Sequence, residues 1–246
     1  MIRYFKADLY RILRRIPRYI IIGVIIAASG FILYKMADGE TPYSLIETFT
    51  KFVSVICPIF AVIEFSPVFA DDFKAKTMQV AIGSGINRNK VILLKWIELV
   101  LLTFTDTVFL LLAAFIAARL GGVVFSGEPL KDVLIMSAFS ILQVTGAVGA
   151  TLIVLFFSLN QTLGIVVLII MCTGVVDSIL DALLSSVTEI AGLHLSQLLF
   201  TNLVSTAKTR AVLGTFSVLH ILGIVIYYVI FFFAASALYR KKELEF

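Results

Sequence analysis

An all-α integral membrane protein with six transmembrane helices is predicted by three observations on this chain of 246 residues. It is 60% hydrophobic and only 15% charged, with a mean hydropathy of +1.05, which excludes an ordinary soluble globular domain. Its apolar residues gather in about six runs of membrane length, and its basic residues fall unevenly on the two sides of those runs.

The first 18 residues precede the spans. At about 100° per residue, Ile2, Phe5, Leu9, Ile12, Leu13 and Ile16 cluster on one side of a helix, with Arg3, Lys6, Arg11, Arg14, Arg15 and Arg18 opposite. This predicts an N-terminal amphipathic interfacial helix over 1–18, its basic residues toward anionic lipid of the inner headgroup layer. It serves either as a topology anchor or as a lever beside a moving cytoplasmic partner. Pro17 predicts a bend into the first span, because its ring interrupts a continuous helix. No small-residue cleavage site follows that span, so it is read as retained rather than as a secretory signal.

A helix needs about 20 apolar residues to cross a hydrocarbon core about 30 Å thick. Tyr19 to Met36, Phe49 to Ala70, Val91 to Leu120, Val133 to Phe157, Thr162 to Leu180 and Phe216 to Leu238 meet that length. Barrel strands would be half as long and alternating in polarity, whereas these runs carry continuous Ile, Leu, Val and Phe. Placing the N-terminus in the cytoplasm puts 14 of the 20 basic residues inside and six outside. By the positive-inside rule both termini are cytoplasmic, in a multi-pass protein of the cell (cytoplasmic) membrane. The net charge of +4 is then a topology signal and not a nucleic-acid footprint. Cys57 and Cys172 both fall inside apolar runs, which supports neither a disulfide framework nor a metal cluster. No cytoplasmic segment is long enough for a folded catalytic domain of ordinary size, so residues 1–246 read as one transmembrane domain.

One long polar segment lies between membrane-length runs, from Asp71 to Lys95. Its first half has helical spacing, with Phe73, Thr77, Val80 and Ala81 on one side. Gly83, Ser84 and Gly85 then break it, and Asn87 is placed to cap a helix that begins near Arg88 and continues through the third span. A short cytoplasmic helix, a flexible corner and a long helix make a coupling geometry over residues 71–90 between helices 2 and 3.

In these residues the chain resembles the membrane subunits of ABC transporters, specifically the six-helix type 2 exporter permeases. The family pattern of an acidic residue, Gly-Thr, apolar positions, a Gly or Pro corner, Ser-Arg and a Lys is matched in order by Asp72, Thr77, Gly83 to Gly85, Arg88 and Lys95. Lys76 stands where the family has Gly, and Asn87 where it has Ser. The resemblance implies a permease that works as a dimer, with a second copy or a paralogue. Each copy docks a separate ABC ATPase subunit through the coupling residues Asp71, Asp72, Phe73, Lys74, Thr77, Val80 and Arg88. The chain carries no Gly-x-x-x-x-Gly-Lys-Ser/Thr phosphate loop, so no cofactor is expected on it; ATP and Mg belong to the partner. The permease itself is not expected to be an enzyme.

Four ionisable residues inside the spans are candidates for a gate, because intramembrane charges are costly. Glu64 lies about seven residues into the second span, at a depth comparable with Lys95 and Glu98 on the third. The expectation is that Glu64 or Glu98 pairs with Lys95, either as a structural ion pair or as a gate. Asp106 is deeper, with Thr103, Thr105 and Thr107 as local hydrogen-bond partners. Gln143, Thr145, Gly146 and Gly149 suit close helix contact. The outer segment, 177–213, keeps an apolar pattern at Leu180, Leu183, Leu184, Val187 and Ile190 that predicts short amphipathic helices, with Asp177, Asp181 and Glu189 either solvated or lining an exit. His194 and His220 have no partners at metal-ligand spacing.

The leading functional reading is the permease subunit of an ATP-driven exporter of an amphipathic or hydrophobic compound. By resemblance the cargo is a peptide, antibiotic or drug-like molecule, as in small bacterial exporter and bacteriocin-immunity permeases. Alternatives are a non-transporting membrane scaffold that anchors an ATPase and an ion-coupled secondary carrier. A membrane-embedded enzyme is disfavoured by the absence of His-Glu-x-x-His and of a Glu-Glu pair.

Overall fold

The computed structural model describes residues 2–37, 41–74, 78, 82–83, 85–124, 127–185, 195–215 and 217–241. Every regular element among them is helical: α1 (Ile2–Leu13), α2 (Ile16–Met36), α3 (Pro42–Phe65), α4 (Asp71–Lys74), α5 (Arg88–Leu120), α6 (Glu128–Ser158), α7 (Gln161–Cys172), α8 (Val175–Ser185), α9 (Phe200–Val212) and α10 (Val218–Lys241). A π-helical turn, Ser66–Ala70, joins α3 to α4, and a 3₁₀ turn, Leu195–Leu198, precedes α9. Among the described residues, five helical segments are long and apolar enough to cross a membrane, six if one bent pair counts as a span. The chain is therefore an all-helical, multi-pass membrane protein.

Local chemistry explains where the helices start and stop. The N-terminal helix ends at Leu13, short of the predicted Arg18, and the chain turns at Arg14 and Arg15. Pro17 then sits in the first turn of α2, where its missing N–H costs nothing. Arg18 consequently belongs to the first span and not to the amphipathic helix. At the start of α3, Thr41 and Ser44 form a reciprocal capping box with Pro42 at the first helical position. The side chain of Asn160 caps α7 by accepting from the N–H groups of Thr162 and Leu163 at 3.0 and 3.2 Å. The run expected as the fifth span, Thr162 to Leu180, forms two helices: α7 and α8 meet at a 59° bend, where Gly174 adopts φ +72°, a conformation that ends a helix. At 12 residues, α7 is about 18 Å long, too short to cross alone. Residues 177–213, expected to form an outer segment with short helices, include most of α8 and all of α9, while Val187, Glu189, Ile190 and His194 lie outside the described residues.

The chain divides into two compact units, Met1–Val68 with Ile97–Ile141, and Phe69–Trp96 with Leu142–Phe246. In the first unit Ala37, Leu45, Ala118 and Val123 form a buried cluster. Small side chains let the backbones close there: a Cβ on Gly121 would stand 2.4 Å from the Cβ of Ala37. In the second unit Gly146 and Gly149 make the close contacts read from their size. A Cβ on Gly146 would fall 2.1 Å from the ring of Phe200, and one on Gly149 2.7 Å from that of Trp96. The Trp96 indole N–H donates to the carbonyl of Thr145 at 3.3 Å, and the Tyr228 hydroxyl donates to that of Leu142 at 2.6 Å. These glycines are therefore sites of aromatic packing within the chain.

Candidate functional site

Arg18, the third residue of α2, is buried, as are Ile22, Ser29 and Leu33 along the same stripe of that helix. Its guanidinium holds two carboxylates. Nε donates to Glu64 Oε1 at 2.5 Å, and Nη2 donates to Asp106 Oδ1 at 3.0 Å. The three side chains are 5%, 0% and 4% exposed, so none is solvated. The Tyr19 ring lies 5.1 Å from the guanidinium carbon. Nearby, α1 contributes a second, partly buried pair: Arg11 holds Asp8 at 2.7 Å and also donates to the carbonyl of Pro67, in the π-turn, at 3.4 Å. Two prolines, Pro58 within α3 and Pro67 in the π-turn, bracket Glu64 and interrupt the backbone ladder on both sides of it.

Of the two acids expected as alternatives to pair with Lys95, Glu64 pairs instead with Arg18. Depth counted from the end of a span misleads for α5, whose 33 residues measure about 50 Å and exceed a bilayer core. The acid that α5 brings to Glu64 is Asp106, eight residues beyond Glu98. Asp106 is likewise not satisfied by its neighbouring threonines. Thr105 and Thr107 donate to the carbonyls of Leu101 and Thr103 on their own helix, at 2.7 and 2.8 Å, as mid-helix threonines commonly do.

The second constellation lies at the root of the predicted coupling segment. Asp72 and Lys95 are both fully buried and form an ion pair. Asp72, one of the residues expected to couple to an ATPase, is the partner of Lys95. At the start of α5, Arg88 donates to the carbonyls of Tyr239 and Arg240 at 3.4 and 3.2 Å, and Arg240 donates to the Asn89 side chain at 2.9 Å. The segment's beginning is thus fastened to α5 and its end to the last turn of α10. Met78, between them, is buried, a position not singled out by the helical spacing. Asp71 is half-buried, and Phe73 and Lys74 occupy α4. Lys76, Thr77, Val80, Ala81 and Ser84 lie outside the described residues. Glu98 is fully buried on α5, one turn beyond Lys95.

Farther along, Asn202 on α9 bridges Asp181 on α8 and the carbonyl of Ser196, at 3.0 and 2.7 Å, so Asp181 has a structural partner. The Ser217 hydroxyl and His220 Nδ1 lie 2.5 Å apart. No group of three or more metal-ligating side chains occurs among the described residues.

No family model, no curated protein and no solved structure matches this chain. The class defined by fold and site is a multi-pass helical membrane protein with two buried ionic constellations.

Proposed function

We propose that the chain is the permease subunit of an ATP-driven ABC exporter, working as a dimer with an identical or paralogous copy and moving an amphipathic or hydrophobic compound across the cell membrane. The observation that carries this reading is the double fastening of the polar segment between the second and third spans. A loop that only joined two helices would gain little from a fully desolvated ion pair, which costs several kcal/mol per ion to form. A handle that must pass a push into helices does gain, because slack at either end would absorb the stroke. The Asp72–Lys95 pair removes slack at one end, and the Arg88 contacts with α10 remove it at the other. From Arg88 the helix runs unbroken to Leu120. The ATPase, ATP and Mg belong to the partner chain, whose closure would act on Asp71 to Ile82.

Affinity capture of the tagged chain from its native membrane tests the reading. An ABC-class ATPase copurifying in stoichiometric amount is expected. Capture of the chain with no ATPase contradicts it. A second reading, an ion-coupled secondary carrier, is favoured by one feature, the excess of acid over base around Arg18. Such a carrier would move cargo on a proton gradient in the absence of ATP.

A further inference from the structure

The Arg18 cluster holds two acids and one base, and their geometry says how the imbalance is met. Nε and Nη2 are bonded to the same carbon and form one edge of the guanidinium. A single carboxylate ordinarily takes both donors of such an edge in a bidentate fork. Here Glu64 takes one and Asp106 the other, which brings the two carboxyl groups side by side. Their remaining oxygens, Glu64 Oε2 and Asp106 Oδ2, are buried with no hydrogen-bond partner among the described residues. Glu64 itself is 0% exposed and Asp106 3%.

Fully ionised, the cluster would bury a net charge of −1 with two bare carboxylate oxygens at its centre. An uncompensated charge in a desolvated site is expensive enough that the group takes up a proton instead. Adjacent carboxyls with no room for two negative charges share one proton, as in aspartic proteases. Among the described residues, the cation that acts on both acids is Arg18. From α2 come Arg18 and the neutral Tyr19; from α3, Glu64 and the thiol of Cys57; from α5, Asp106. The nearby Arg11 on α1 is matched by Asp8. One proton brings the cluster to neutrality and converts a bare oxygen into a donor aimed at its neighbour.

We propose that Glu64 and Asp106, held on one edge of Arg18, form an acid dyad that binds a single proton at neutral pH. This inference does not rest on the exporter reading, and its test involves neither ATP nor cargo.

Infrared difference spectra of the full chain in lipid nanodiscs at neutral pH provide that test, comparing wild type with Glu64→Gln and with Asp106→Asn. Each difference is expected to show the loss of one protonated-carboxyl C=O stretch, downshifted in D2O, so that the dyad goes from one bound proton per chain to none in either variant. The losses should be equal and not additive, because either substitution removes the same proton. Absence of the band from both differences would show two ionised carboxylates and overturn the proposal; so would separate bands lost in each variant, which would mean two independent protons. Either substitution leaves a neutral one-to-one pair with Arg18, so both variants should fold. Failure of both to fold would also contradict it.

Discussion

Replacing Arg18 with Gln should destabilise the protein more than any other single change to its basic residues at the N-terminal end. The shorter, neutral side chain removes the cation that holds both Glu64 and Asp106. Breaking a buried ion pair by deleting one partner costs about 3–5 kcal/mol. Neutralisation of the stranded acids by proton uptake keeps the loss from doubling. For a chain of this size each kcal/mol corresponds to about 2–4 °C in Tm, so a fall of about 6–20 °C is expected in detergent, read by thermal unfolding. Arg14→Gln is the control: Arg14 is exposed and stacks on Tyr10 at 4.7 Å, and its loss should stay within about 0.5 kcal/mol. Replacing the whole cluster, Arg18→Met with Glu64→Leu and Asp106→Leu, should recover much of the loss, since apolar substitutes for a buried ionic network are often neutral or stabilising. Equal unfolding temperatures for Arg18→Gln, Arg14→Gln and wild type would refute a buried clasp and return Arg18 to the headgroup layer.

Lys95→Met should cost about 3–5 kcal/mol by stranding Asp72, and Lys95→Met with Asp72→Leu should regain most of it, both measured as shifts in Tm. Gly121→Leu should cost about 1–3 kcal/mol, because the new side chain meets the Cβ of Ala37; Gly23→Ala, with nothing within 4 Å of the added methyl, should be neutral or stabilising by about 0.5–1 kcal/mol. The single tryptophan, Trp96, is buried, so its fluorescence should be blue-shifted in the native protein and move red on unfolding; Trp96→Ala should cost about 3–5 kcal/mol.

Hydropathy alone located the spans, since lipid admits only closed backbone hydrogen bonding and leaves length and apolarity as sufficient signals. Four of the five long helices begin or end within a few residues of their predicted limits, whereas α3 begins seven residues before Phe49, at the Thr41 cap. The bend at Gly174 was written in the sequence as Thr-Gly within an apolar run, but a length criterion passes over it. The ionic partners were less legible. Projecting residues 1–18 as one helix puts Arg18 on the basic side with Arg14 and Arg15. Starting a helix at Ile16 instead puts Arg18 on the stripe of Ile22, Ser29 and Leu33, an apolar-facing position that calls for an acid. Which acid is a question of tertiary register, and no local pattern sets it: Glu64 chose Arg18, and Lys95 chose Asp72, because helix lengths and tilts decide which turns meet. Gly146 and Gly149 were readable as contact sites by size, while their aromatic partners, Phe200 and Trp96, are distant in sequence and were not.

ATP hydrolysis by the chain purified together with an ABC ATPase tests the central functional claim most directly, with wild type set against Phe73→Ala on α4 and Arg88→Glu at the start of α5. Loss of the complex or of its coupled hydrolysis in both variants is the result predicted for a handle anchored by Arg88 and engaged by the ATPase. Assembly and hydrolysis unchanged from wild type in both would contradict that role.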